Sequence, residues 1–244
     1  MTRILAIEHQ PSCPPALLGQ WLEANGVELV VARPWTGEAL PDASQYDALL
    51  VLGGSMDAYG DDSKHPWLSP VKQQIRDAVA AGLPTLGVCL GHQLMTEALG
   101  GEAAPNPRGQ TVGLRDVGWT EHAATDDLFA GVADRTGGGA VEARGVHWND
   151  DIALRLPPGA VVLATTVDGA PQVVRYADRA WGVQLHPEAT AEVVRAWAED
   201  DRDRHLASGV DQEALLADIE DAQTELNETW APLAEAFARL AARG

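Results

Sequence analysis

Cysteine is scarce: Cys13 and Cys89 are the only two in 244 residues. Two thiols so far apart supply no disulfide framework of the kind small secreted domains depend on, so both are expected to be free. Basic residues are scarce too, 17 against 36 acids, for a formal net charge of −19. Nucleic acid and anionic membranes are held by clustered cations, so neither is an expected partner. No apolar stretch approaches the roughly eighteen uninterrupted residues of a membrane span. The opening MTRILAIEHQ lacks the basic region and long apolar run of a secretory signal. These absences together point to a reducing cytoplasm. No Cys/His cluster has zinc spacing, so no metal is expected. The Gly137-Gly138-Gly139 run lacks the lysine of a phosphate loop; it reads as a mobile turn, and no cofactor is implied.

What is present is a folding chain. Apolar residues make up 45% and charged residues 22%, the balance of a protein with a sizeable core. The first hundred residues alternate between two patterns. RILAI, VELVVA, YDALLVLG and LPTLGV are apolar runs that read as buried strands. Between them, Leu17, Leu18, Trp21 and Leu22, and then Leu68, Val71, Ile75, Ala78 and Val79, recur at helical spacing, with Gly26 and Gly82 as stops. This predicts a three-layer, doubly wound α/β fold: a mainly parallel sheet with helices on both faces and ligands at the carboxyl ends of the strands. Beyond about residue 110, TVGLRDVGWT, residues 141–147, AVVLATTV, PQVVRYA and AWGVQL read as short strands in appended antiparallel hairpins. Helices return at about 189–206 and 211–240, with Pro232 expected to kink or divide the last. The apolar face there, Leu215, Ile219, Leu226, Trp230, Leu233 and Phe237, fits packing on its own domain or, alternatively, a partner or a homodimer. Residues 1–200 are expected to form the main domain, and 201–244 a helical extension packed on it. The charge run at 199–204 reads as a solvated helix face.

The stretch LPTLGVCLGHQLM carries the chemistry. A strand running into Gly-x-Cys-x-Gly and then a helix is a nucleophile elbow, which thrusts the Cys89 thiol out at the sheet edge. The following helix adds its positive end and free N–H groups that can stabilise an oxyanion. A thiol nucleophile needs a base, and of His9, His65, His92, His122, His147, His186 and His205, His186 stands out. It ends the run AWGVQL inside His-Pro-Glu, where Glu188 can orient its ring. His92 is expected to pack on its helix, and Cys13, before Pro14, to be incidental.

GVCLGHQ at 87–93, GGSMDAYGDD followed by HPWL, and WGVQLHPE together resemble the class I glutamine amidotransferases, the Cys-His-Glu group. The chain is most similar to stand-alone members related to the amidotransferase domain of GMP synthase. The likeness runs from about residue 3 to about 200. It implies that Cys89 attacks the carboxamide of glutamine to give a γ-glutamyl thioester and ammonia, with His186 moving protons and Glu188 orienting it. It also implies an oxyanion hole of backbone N–H groups at Gly54 and Leu90, a turn at Gly53 beside the substrate, and Gln93 holding substrate glutamine. Many relatives carry His-x-Asp where this chain reads GVHWNDDI; His147, Trp148 and Asn149 are the expected lining residues there. About forty residues follow position 200, too few for a synthetase fold, so a separate acceptor or synthetase protein is the expected partner. The same triad can open any γ-glutamyl amide that fits, which makes a γ-glutamyl hydrolase the alternative. A binding or regulatory protein keeping the fold is a different class, which the intact triad disfavours. An α/β hydrolase using Cys places its acid between nucleophile and histidine, whereas Glu188 follows His186.

Overall fold

The computed structural model describes residues 1–60, 62–137 and 143–243. The glycine run at 138 and 139 lies outside them. In chain order the first half forms β1 (Thr2–Ile7), α1 (Ala16–Ala24), β2 (Val27–Ala32), β3 (Ala48–Val51), α2 (Leu68–Ala80), β4 (Thr85–Val88) and α3 (Leu90–Ala98). Short strands follow: β5 (Glu102–Pro105), β6 (Thr111–Asp116) and β7 (Gly118–Trp119), then α4 (Ala130–Gly137). The remaining strands are β8 (Arg144–Asn149), β9 (Asp151–Arg155), β10 (Val161–Thr165), β11 (Pro171–Ala177) and β12 (Ala180–Val183). Four helices close the chain: α5 (Ala191–Asp200), α6 (Arg202–Ser208), α7 (Gln212–Asp221) and α8 (Gln223–Ala241).

The main sheet has eight strands in the order β2-β1-β3-β4-β12-β11-β10-β7. The first five run parallel, and β11, β10 and β7 extend the sheet by antiparallel pairing. Every residue of β3, β4 and β12 is buried, which is why those segments read as unbroken apolar runs. The α/β architecture agrees with the sequence expectation. Two antiparallel pairs, β6 with β8 and β5 with β9, stand apart from the main sheet. The second was not anticipated, and neither was α4.

The sheet is packed on both faces by two apolar clusters. One is built on Ile4, Leu50, Leu86, Trp181, Trp230 and Phe237, the other on Leu5, Leu49, Ile75, Leu90 and Leu94. Strand alternation sends Ile4 and Leu5 to opposite faces. The C-terminal segment departs from expectation in where it divides. The break falls at Ala222, whose ψ of −4° leaves the helical range, while α8 runs on through Pro232. Pro232 removes one helical hydrogen bond, yet Trp230, Leu233 and Phe237 on either side of it are buried and hold the helix against α1 and α4. The apolar face of α8 is therefore covered within the chain. Among the described residues no helix is long and apolar enough to cross a membrane, and no group of His, Cys, Asp and Glu is placed to hold a metal ion.

Candidate active site

Four strand ends meet at one cleft. Gln10 and Cys13 follow β1, Gly54 and Ser55 follow β3, Cys89 follows β4 and His186 follows β12, and all of them line an open cavity of about 180 Å³. Cys89 sits between β4 and α3 with φ of 49° and ψ of −104°. An L residue pays strain to hold a positive φ, and such strain persists where the surroundings over-determine it. Here the Cys89 amide donates to the Val183 carbonyl (2.8 Å) and the Cys89 carbonyl accepts from the Gln93 amide (3.0 Å). The flanking glycines make the tight turn possible through close packing. Gly87 and Gly91 have no positive φ; they let backbones touch. A Cβ on Gly91 would lie 2.0 Å from the Val51 carbonyl oxygen, and one on Gly87 2.6 Å from the Gly91 carbonyl carbon. The elbow is tight because α3 is pressed directly onto β3 and β4.

Cys89, His186 and Glu188 are 6%, 4% and 1% exposed. His186 Nδ1 and Glu188 Oε1 are 2.7 Å apart, and the Cys89 sulfur lies close enough for its charge to act on the His186 ring. Burial works against a charged His186, but the negative charges of Cys89 and Glu188 and the hydrogen bond to Glu188 outweigh it and hold the imidazolium pKa up at about 10. His9, His92 and His147 are fully buried, and burial lowers each to about 3, so all three stay neutral. His92 packs as expected, with Nδ1 2.9 Å from the Tyr176 hydroxyl. His205 bonds Gln110 and Gln212, His65 is half-buried and His122 is exposed.

The other residues singled out from sequence fall around this centre with one exception. Gly53 and Gly54 lie against it: a Cβ on Gly53 would sit 3.3 Å from His186 Cε1, and one on Gly54 2.8 Å from Leu90 Cδ2. Leu90 opens α3, so its amide has no preceding turn to accept its hydrogen bond. Gln93, Trp148 and Asn149 line the cleft. His147 does not line it; it is enclosed in β8, and its ring nitrogens have no partner among the described residues.

Sequence reasoning missed several neighbours. Gln184 donates to Cys89 Sγ (3.6 Å) and accepts from Gln93 Nε2 (3.3 Å). It lies two residues before His186, so strand alternation could have placed it on the same face. Trp197 packs its ring 4.5 Å from that of His186 and donates to the Ser12 carbonyl (2.7 Å). Cys13, expected to be incidental, lines the cleft; burial first, and then the charges of Cys89 and Glu188, push its thiol up, so it stays protonated. The charge run at 199–204 is likewise more than a solvated face. Asp200 and Asp201 line the cleft, Asp201 accepts from Trp148 Nε1 (2.7 Å) and Gln110 Nε2 (2.8 Å), and Arg204 pairs with Asp150.

Comparison with known proteins shows the family and the fold. A family model described as glutamine amidotransferase class-I matches residues 16–197. The chain is similar to the glutamine amidotransferase-like protein YfeJ of Salmonella typhimurium, 32% identical over 179 residues, covering 72% of this chain and 71% of that protein. It is 27% identical over 153 residues to gamma-glutamyl peptidase 5 of Arabidopsis thaliana, covering 63% of this chain and 58% of that one. It is 33% identical over 154 residues to the GMP synthase of Aeropyrum pernix, covering 62% of this chain but only 25% of that much longer protein. The crystal structure of a glutamine amidotransferase from Thermotoga maritima, at 24% identity, superposes with a TM-score of 0.82 over 97% of this chain and 98% of that one. That likeness shows the fold.

Proposed function

The chain belongs to the class I glutamine amidotransferase family, and from that membership and the geometry around Cys89 we propose that it hydrolyses the γ-amide bond of glutamine through a γ-glutamyl thioester. Cys89, whose proton already rests on His186, attacks the γ-carbonyl carbon. The oxyanion that forms accepts hydrogen bonds from the backbone N–H groups of Gly54 and Leu90. His186 then protonates the leaving nitrogen as the C–N bond breaks, releasing ammonia and leaving the acyl group on sulfur. Water enters, His186 takes its proton, and the new tetrahedral intermediate collapses to glutamate and free Cys89. Glu188 holds Nδ1 of His186 throughout, fixing the ring so that Nε2 faces the sulfur. Gln93 contacts the glutamyl group. The ammonia passes to an acceptor.

The observation that carries this reading is the buried His186, hydrogen bonded to Glu188 and held charged by Glu188 and the neighbouring Cys89. A larger γ-glutamyl amide is the second reading, favoured by the openness of the cleft beyond Cys89. The test is release of ammonia from glutamine, and of amine from γ-glutamyl amides, by the purified protein. Cys89→Ala abolishes both if the assignment holds; turnover that survives the substitution overturns it. A wild-type protein that releases nothing, and is not labelled at Cys89 by a glutamine-mimicking electrophile, is a binding protein instead.

A further inference from the structure

We propose that the outer part of the cleft is a subsite for a cationic amine, so that the preferred substrate is a γ-glutamyl amide whose leaving amine carries a second positive charge. This rests on γ-glutamyl hydrolysis at Cys89 and specifies its substrate class. Moving outward from Cys89 and His186, the lining becomes Gln110, Trp148, Asp150, Asp151, Asp200 and Asp201, and no lysine or arginine lines the cleft. Arg204 balances Asp150. The other three carboxylates form no salt bridge among the described residues, although the Arg204 charge also faces Asp201: Asp201 accepts from the neutral Trp148 and Gln110, Asp151 accepts from the Tyr59 hydroxyl (3.2 Å), and Asp200 is exposed.

One observation independent of the acids, and a second tied to them, point to the same ligand. Asn149 is 5% exposed and donates through Nδ2 to the Asp151 carbonyl (3.0 Å), while its Oδ1 is a buried acceptor with no donor among the described residues. It is satisfied by an N–H from a bound molecule. Trp148 is tied through its indole N–H to Asp201, which fixes its ring in the wall of the cleft, and an indole face beside carboxylates is a favourable setting for an ammonium group. The local field agrees: the Asp151 carboxyl is raised by burial and by the neighbouring Asp57 and Asp150 despite the Tyr59 hydrogen bond. Tyr59 itself is pushed up to about 12 by burial and then by Asp151, Asp57 and Asp150. The α-ammonium of the glutamyl group occupies one carboxylate, which leaves a surplus of negative charge for the leaving group. A leaving group ending in a carboxylate would meet that charge with no cation to receive it. Asp200 and Asp201, and the His205 that holds Gln110 (3.0 Å), lie beyond the family-matched residues 16–197, so part of this wall comes from the C-terminal segment.

The experiment compares kcat/KM at low ionic strength for the γ-glutamyl amides of a four-carbon diamine, the matching alkylamine and the matching ω-amino acid. The diamine conjugate is expected to lead the neutral one by about tenfold, the equivalent of about 1.4 kcal/mol, with the acid slowest. In the Asp151→Asn, Asp200→Asn double variant, and in wild type at high salt, that lead shrinks toward unity. Equal rates for the three conjugates, or preference for the acid, overturn the subsite while leaving γ-glutamyl hydrolysis intact. Failure to cleave any of them, or glutamine, above the Cys89→Ala background overturns hydrolysis itself and the subsite with it.

Discussion

Gly91→Ala tests whether the elbow is built by close backbone contact. The added Cβ would lie 2.0 Å from the Val51 carbonyl oxygen, where ordinary contact begins at 3.4 Å, so α3 and β3 must separate by about 1.4 Å, the difference between those two distances. Neither partner is a flexible side chain: Val51 lies in β3, with every residue buried, and Gly91 is buried in α3. Overpacking of this kind costs about 1–3 kcal/mol, and contact between two backbones belongs at the upper end. For a chain of this size each kcal/mol moves Tm by roughly 2–4 °C, so a fall of about 6–12 °C is expected. Activity should suffer more than stability. Displacing the start of α3 by an ångström moves Cys89 off His186, an error worth about a hundredfold in rate. The control is Gly131→Ala in α4, where the nearest atom to the new Cβ is Pro232 Cβ at 3.9 Å; removing a helical glycine there should be neutral or stabilising by up to about 1 kcal/mol. Thermal melts and γ-glutamyl turnover of both variants decide the matter. A Gly91→Ala protein with wild-type Tm and rate would refute the packing argument.

His186 makes stability depend on pH in a defined direction. Its folded pKa, about 10, lies above the ordinary value of 6.5, so its contribution is complete below about pH 6.5 and is lost as pH rises through about 10. Removing the sulfur in Cys89→Ala takes away the largest of the favourable influences, so the alkaline loss should begin at lower pH; melts from pH 6 to above 10 with identical profiles for both proteins would contradict this. Trp230→Ala should cost about 3–5 kcal/mol, because it empties a fully buried site in α8 and removes the 2.9 Å hydrogen bond to the Arg144 carbonyl. Chemical denaturation checks it, and a loss below 1 kcal/mol would mean that α8 is dispensable to the core.

The parallel half of the sheet was legible because β1, β3 and β4 are buried and so are written as apolar runs with helix-spaced residues between them. β5 and β9 left no such trace: EAAP ends in proline, and DIALR is buried only at its centre, so neither shows an apolar run or a clean alternation. α4, AGVADRTG, has glycine at its second and last positions and few apolar residues. The division at Ala222 was masked by Pro232, the stronger local breaker, which tertiary packing overrides. Around the cleft, Cys89, His186 and Glu188 sit within compact motifs, so their proximity could be anticipated. Cys13 and the acids at 200 and 201 sit in a loop and a charge run with no period to mark a face; only the fold brings them to the cleft. How the two elbow glycines permit the tight turn was not legible either. Sequence shows that a glycine is present, but not whether its missing side chain serves a positive φ or a neighbouring backbone.

The central claim, a γ-glutamyl group carried on Cys89, is tested most directly by mass spectrometry of protein acid-quenched during turnover of glutamine or a γ-glutamyl amide. The expected result is a covalent adduct with the mass of one γ-glutamyl group on the peptide that contains Cys89, absent from Cys89→Ala and lost on standing with water. Rapid turnover with no adduct at Cys89, or an adduct that persists in Cys89→Ala, would contradict it.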